Sequence, residues 1–310
     1  MSRGLSWSGG PGRNANRVAS LCGVVGLFSI AGGAWAQAPS DRIDAAAGER
    51  ETIASLTNEG VATTAGRAIV HLPRGAMSAD DALVLATRLN LSIDAIDAFT
   101  HSPRAWQRNP ARIDYYFPPS QFVSYAKPVS AQVFIALPRL LTGGAPLLHE
   151  TAHVLLSPSA EFIVAHGGRF DSEDDERTWL VEGIATYVAM SVAKAANIPE
   201  GDPLDVGAID QLDARCATAL ATPVEGQVLP FIGVAGAPDA LESATRRAEV
   251  APAFYGCSAS FNKYLAGRVG LDALIGLMIA EDSQAQLEKL AGRNVEALRA
   301  DWRRRIGASP

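Results

Sequence analysis

The stretch that decides the fold is residues 146–156, PLLHETAHVLL. Its apolar residues recur at helical spacing, which predicts a helix with one packing face. His149 and His153 are four residues apart, so they project from the same side of such a helix and can reach one ion together. The alternative is a structural helix in which two buried imidazoles are hydrogen-bonded to the backbone.

Glu150 follows His149 directly and completes the pattern HExxH. In this pattern two imidazoles hold a zinc ion, and the carboxylate accepts a proton from water that the ion holds. The sequence therefore predicts His149 and His153 as zinc ligands and Glu150 as a general base.

A zinc ion in a hydrolase takes a third protein ligand and keeps one position open. The extended pattern HExxHxxGxxH would need a histidine at position 159, where this chain has Ser159. Further on, residues 178–188 read TWLVEGIATYV, an amphipathic helical run whose one carboxylate is Glu182. A lone buried carboxylate is costly unless it is paired or bound to a cation, so Glu182 is the predicted third ligand. Thr186, one helical turn later, is expected to orient a ligand.

The segments HETAH (149–153) and WLVEGIATY (179–187) together resemble the gluzincin metallopeptidases, in particular the peptidase MA-like group. The resemblance extends over about residues 133–302 and is strongest in these two segments. It implies a zincin-like fold in which two histidines and Glu182 bind zinc and Glu150 is the general base. The interval from His153 to Glu182 is longer than in the aminopeptidase N-like and thermolysin-like relatives.

This longer interval contains His166 and the acidic run 171–176, DSEDDE. His166 lies in a glycine-rich stretch and is expected to be exposed, with a competing metal ligand as the alternative. The acidic run is expected to be a solvated loop, with calcium binding or a substrate rim as the alternative.

Tyr255 lies in residues 253–265, AFYGCSASFNKYL. Its spacing to Tyr264 and Leu265 is similar to that of the aminopeptidase N-like branch. The resemblance implies that Tyr255 stabilises the oxyanion of the transition state. The alternative is a tyrosine that anchors the start of a helix.

Residues 1–36 have the pattern of a secretory signal peptide. Three arginines with no acidic residue accompany an apolar, glycine-dotted run at 21–30, and Ala34-Trp35-Ala36 forms the expected cleavage site. Cys22 would leave with this segment. No later segment has the roughly 18 apolar residues that a membrane span needs. The mature chain is therefore expected to be periplasmic or secreted, without stable membrane insertion.

Without residues 1–36 the formal charge changes from −6 to −9, because that segment carries three arginines. A chain this acidic is a poor candidate for nucleic-acid binding. The resemblance to metallopeptidases implies a peptide or protein substrate as its partner. The basic run 303–305 is expected at the end of a helix, where cations suit the helix dipole. Cys216 and Cys257 form an even pair in an exported chain, which predicts one disulfide, with two separate buried thiols as the alternative.

The β-prone runs are in the first half of the chain, at 68–72, 112–117 and 133–137. Ser78 is expected to cap a helix that ends at about Leu89, and beyond Leu147 the pattern is almost entirely helical, with a last helix starting at Asn294. This arrangement predicts an α+β fold.

The predicted organisation has two lobes after a linker or loose helix at residues 37–60. Residues 61–157 form an N-terminal lobe with a small mixed or antiparallel β-sheet and the HExxH helix. Residues 158–310 form a mainly helical lobe that carries the third zinc ligand.

Together these predictions describe an exported zinc-dependent metallopeptidase that hydrolyses peptide bonds by zinc-activated water. The chain has no G-A-M-E-N segment, which favours an endopeptidase over an aminopeptidase. Residues 133–137 are expected to be the edge strand that pairs with an extended substrate. The alternatives are a binding or scaffold protein that keeps the zinc fold without turnover, and a zinc hydrolase that acts on a non-peptide amide.

Overall fold

The computed structural model describes residues 39–119, 124–165, 178–199, 201–233 and 250–308. The predicted signal peptide, His166 and the acidic run 171–176 lie outside these ranges. Within them the chain is an α+β protein with twelve α-helices and one mixed sheet of five strands. None of the described helices is both long and apolar enough to cross a membrane.

The strands are β1 (Val61–Ala65), β2 (Ala68–Leu72), β3 (Ile113–Tyr116), β4 (Tyr125–Lys127) and β5 (Gln132–Phe134). They are arranged in the order β1-β2-β3-β5-β4. The three inner strands, β2, β3 and β5, are parallel, and the two outer strands run antiparallel to their neighbours.

The expectation that residues 133–137 form the edge strand is wrong. β5 ends at Phe134, it lies between β3 and β4, and the chain is helical again from Leu137. The edge strand on this side of the sheet is β4, because a short turn through residues 128–131 returns the chain antiparallel along β5, and β1 forms the opposite edge. β4 is three residues long, too short for an alternating pattern to reveal it in the sequence.

The helices of the first half are α1 (Pro39–Asn58), α2 (Ala79–Thr100), α3 (Leu137–Leu141), α4 (Leu147–Leu156) and α5 (Ala160–Ala165). Those of the second half are α6 (Thr178–Ala195), α7 (Leu212–Leu220), α8 (Glu225–Val228), α9 (Ala251–Val269), α10 (Leu271–Gly276), α11 (Ser283–Ala291) and α12 (Val295–Ile306).

The helix boundaries predicted from the sequence are confirmed in part. Ser78 caps α2 and Asn294 caps α12 through side-chain oxygens, and the basic run 303–305 forms the last turn of α12. The end of α2 was placed too early, because the helix continues from Leu89 to Thr100. Its buried face continues through this part, so the added turns are stabilised by packing.

The inner face of the sheet packs against α2 and α4, α4 packs against α6, and α6 packs along α9. One continuous apolar core includes Val70 and Tyr115 of the sheet, Leu155 of α4, Ile184 of α6 and Phe261 of α9. The core therefore runs through both predicted lobes and fixes α4, α6 and α9 relative to one another.

The outer face of the sheet is covered by α1. Leu56 of α1 packs against a row of stacked rings on four neighbouring strands: His71, Tyr116, Phe134 and Tyr125. The Tyr125 hydroxyl donates a hydrogen bond of 3.0 Å to Glu49 of α1, and Lys127 forms an ion pair with the same carboxylate. These contacts fasten the edge strand β4 to α1.

A disulfide joins Cys216 of α7 to Cys257 of α9. This agrees with the pairing expected from the sequence. The bond ties α7 to the helix that carries Tyr255.

Candidate metal centre

Helix α4 carries the HExxH residues and is held by burial on almost every side. Nine of its ten residues are buried. Thr151 adds polar contacts, since its hydroxyl donates to Leu147 O over 2.7 Å and lies 2.9 Å from the Tyr115 hydroxyl of β3. The helix is therefore fixed against the sheet on one side, while His149 and His153 face α6.

Three donor atoms from two helices converge on one point. His149 Nε2 lies 3.0 Å from His153 Nε2 and 3.1 Å from Glu182 Oε2. His153 Nε2 lies 3.2 Å from Glu182 Oε2. Among the described residues this is the group whose donor atoms could hold a metal ion. The structure thus brings the three predicted ligands together.

The arrangement fits a zinc ion. Zinc binds nitrogen and oxygen at about 2.0–2.1 Å in tetrahedral geometry, which places its ligand atoms about 3.3 Å apart. The observed separations of 3.0–3.2 Å are close to that value. Without a cation or a shared proton, three lone pairs directed at one point would repel each other, so the donor set itself favours a bound cation.

The second nitrogen of His149 has a polar neighbour that suits the tautomer a metal ligand needs. His149 Nδ1 lies 3.2 Å from the Thr186 hydroxyl oxygen. With the proton on Nδ1, the ring donates to Thr186 and leaves the Nε2 lone pair for the metal. Thr186 therefore occupies the orienting position expected from its spacing after Glu182.

The electrostatics of the group keep Glu182 ionised. Burial by itself would raise the pKa of Glu182, but His153 and His149 outweigh it and hold that pKa well below its usual value. Burial lowers the pKa of His153, and the carboxylates of Glu182 and Glu150 more than reverse this, so the net shift is upward. Positive charge is thus favoured at the point where the three donors meet.

The carboxylate of Glu150 is close to the centre yet free. The residue is only 6% exposed, and burial raises the pKa of Glu150 while His149 and His153 partly oppose this. Its carboxylate accepts no hydrogen bond from the described residues. Both carboxylate oxygens are in contact with solvent, because neither is among the fully buried polar atoms that lack a partner. It can therefore accept a proton from a water molecule.

Tyr255 lies at the same centre, on the second turn of α9. Its ring centroid is 6.1 Å from that of His149, and the residue is 7% exposed. Burial, with smaller contributions from Glu182 and Glu150, raises the pKa of Tyr255 well above its ordinary value, so the phenol keeps its proton. Among the described residues no group accepts a hydrogen bond from this hydroxyl, which is in contact with solvent.

No protein-family model, curated protein or solved structure matches this chain.

Arg139 of α3 interacts electrostatically with Glu150 and was not among the residues predicted from the sequence. Its guanidinium is half-buried, donates from Nη1 to Ser124 Oγ over 2.8 Å, and acts electrostatically on Glu150. In the sequence it follows the β-prone run 133–137. The signal that could have identified it is a single cation inside the apolar run VFIALPRLL just before HExxH.

Proposed function

We propose that this protein is a zinc-dependent metallopeptidase of the gluzincin type. The observation that carries the proposal is the convergence of His149, His153 and Glu182 within 3.0–3.2 Å, with the open carboxylate of Glu150 next to them. Two histidines and one carboxylate, with a free carboxylate beside them, are the donor set of hydrolytic zinc sites.

In this proposal each side chain has one task. Bound zinc supplies Lewis acidity to the scissile carbonyl and to the attacking water. Glu150 accepts a proton from that water and passes it to the leaving amine. The Tyr255 hydroxyl donates to the carbonyl oxygen as negative charge develops on it. Thr186 keeps His149 in the tautomer that the ion needs.

The edge strand β4 offers a place for an extended substrate. Among the described residues it has a strand neighbour on one side only, and it packs against α4, which carries His149 and Glu150. A peptide can add to such an edge through main-chain hydrogen bonds. Pairing along an edge does not require a free terminus, so this position favours an endopeptidase. Digestion of a peptide library should give internal cleavages, and release of terminal residues alone would contradict this part of the proposal.

Metal analysis and two variants test the function. We expect about one zinc per chain in the wild type and none in His149→Ala. Glu150→Gln should keep the zinc and lower peptide hydrolysis by about 10²- to 10⁴-fold, because only the general base is removed. Retention of ordinary turnover by Glu150→Gln would refute the mechanism. Zinc without hydrolysis in the wild type would favour a scaffold, and turnover confined to other amides would favour a non-peptide hydrolase.

Export is part of the proposal. The disulfide between Cys216 and Cys257 supports it, because such bonds persist in oxidising compartments. The mature protein recovered from the periplasm or the medium should begin at Gln37. A cytosolic chain that retains Met1 would contradict export.

A further inference from the structure

We propose that Arg139 binds a carboxylate group of the substrate, so that the centre prefers anionic peptides. This inference rests on the proposed function and specifies its substrate class. It is carried by the partial burial of the guanidinium, its open donors, its hydrogen bond to Ser124 just before β4 and its electrostatic interaction with Glu150.

The first observation is that Arg139 is a half-buried cation with no carboxylate partner among the described residues. Three other half-buried arginines form ion pairs, Arg67 with Asp97, Arg88 with Asp202 and Arg104 with Asp272, while Arg108 forms none with the described residues. Arg139 instead makes one hydrogen bond, to the neutral hydroxyl of Ser124, and no described carboxylate lies within ion-pair distance of it. A partly desolvated charge is costly until an anion pairs with it, so the position is suited to an anionic ligand.

The second observation is that most donors of this guanidinium are open. The group has five N–H donors in a planar fork, and Ser124 accepts from Nη1 alone. The other guanidinium nitrogens of Arg139 reach solvent, because none of them is among the fully buried described atoms that lack a hydrogen-bond partner. A fork that is held on one side and open on the other matches the two oxygens of a carboxylate.

The third observation is the position of the side chain. Ser124, which anchors it, directly precedes the edge strand β4, and α3 is followed directly by the HExxH helix α4. The charges of Arg139 and Glu150 act on each other, which places the guanidinium within electrostatic reach of the centre. A peptide paired along β4 with its scissile bond beside Glu150 would pass this fork.

Binding without turnover provides the test. Zinc-loaded Glu150→Gln protein is titrated calorimetrically with two matched peptide pairs. In the first pair one peptide ends in a C-terminal carboxylate and the other in a C-terminal amide. In the second pair one peptide has an internal Glu and the other has Gln at the same position. We expect the carboxylate member of one pair to bind about 10- to 100-fold more tightly, as for a hydrogen bond to a charged group. The pair that discriminates tells whether the terminal or the side-chain carboxylate is recognised.

Variants assign the preference to this residue. In Glu150→Gln with Arg139→Gln the affinity ratio should fall to within about twofold of unity, whereas Arg139→Lys, which keeps the charge but not the fork, should keep part of it. Arg112→Gln is the matched control. Arg112 is exposed and lies just before β3, whereas Arg139 follows β5. Because β3 and β5 are parallel, the two arginines lie at opposite ends of these strands. Arg112→Gln should leave the ratio unchanged.

The outcomes separate this inference from the proposed function. Equal affinities in both pairs, no binding of any peptide, or a preference that persists in folded Arg139→Gln would overturn the role of Arg139. If the wild type hydrolyses neutral and anionic peptides equally well, the peptidase proposal stands and this inference fails. If the binding preference is present but no peptide is hydrolysed, the carboxylate site stands and the peptidase proposal fails.

Discussion

The contact between Thr186 and His149 links a hydroxyl of α6 to the tautomer of a ligand on α4. Replacing Thr186 by Val keeps the shape and removes the acceptor for the Nδ1 proton. We expect zinc affinity to fall about 10- to 100-fold, as for other losses of a hydrogen bond to a ligand. Competition with a chromophoric chelator measures this. Thr186→Ser should recover most of the affinity, and an unchanged affinity in Thr186→Val would show that the contact does not orient the ligand.

The hydroxyl of Tyr255 is open to solvent beside the same centre, which is where an oxyanion donor must lie. Tyr255→Phe should lower kcat by about 10²- to 10³-fold with zinc content unchanged. Tyr264→Phe on the same helix is the control, because that hydroxyl donates to Asp301 over 2.8 Å. Its loss should lower stability slightly and leave kcat unchanged. A Tyr255→Phe protein with wild-type kcat and lower stability would instead identify a helix anchor.

The two helices that carry Glu182 and Tyr255 approach closely at Gly183. A Cβ there would overlap Asn262 Nδ2 and lie 2.7 Å from Ser258 O. Asn262 cannot move away easily, because its amide donates to Trp179 O and Ser258 O over 3.1 and 2.8 Å. The close approach of α6 and α9 therefore depends on glycine at this position.

Gly183→Ala should lower the free energy of unfolding by about 1–3 kcal/mol, since it overpacks this contact. It should also weaken zinc binding, because α6 shifts and carries Glu182 away from the histidines. Denaturant unfolding and chelator competition measure the two effects. Gly267→Ala in α9 is the control: a Cβ there meets no atom within 4 Å, so stability should be unchanged or slightly higher. Equal stability of the two variants would contradict the close-packing argument.

For the molecule as a whole, the disulfide links parts of the chain that are 41 residues apart in sequence. A cross-link of this span removes about 4 kcal/mol of loop-closure entropy from the unfolded chain. Reduction should therefore lower the unfolding midpoint in denaturant. In the protein with Ala at both positions the reductant should have no effect. An equal midpoint with and without reductant in the wild type would show that the bond is absent or contributes no stability.

Several elements were predictable because they depend on neighbours along the chain. The period of residues 146–156 predicts helix α4 and places His149 and His153 on one side of it. Ser78 and Asn294 begin helices because their side chains satisfy the N–H groups of the first turn. The end of α2 was misplaced because packing, and not propensity, extends it to Thr100.

The sequence by itself determined the α+β class, the HExxH helix, the helix that carries Glu182 and the cysteine pair, since period and spacing are local properties. Only the tertiary structure decided that β4, and not β5, is the edge, because strand order depends on pairing between distant segments. It also decided that Glu182 meets both histidines within 3.2 Å. Arg139 interacts electrostatically with Glu150 and has no carboxylate within ion-pair distance among the described residues. These convergences come from packing of helices and strands that are far apart in sequence, which no local pattern encodes.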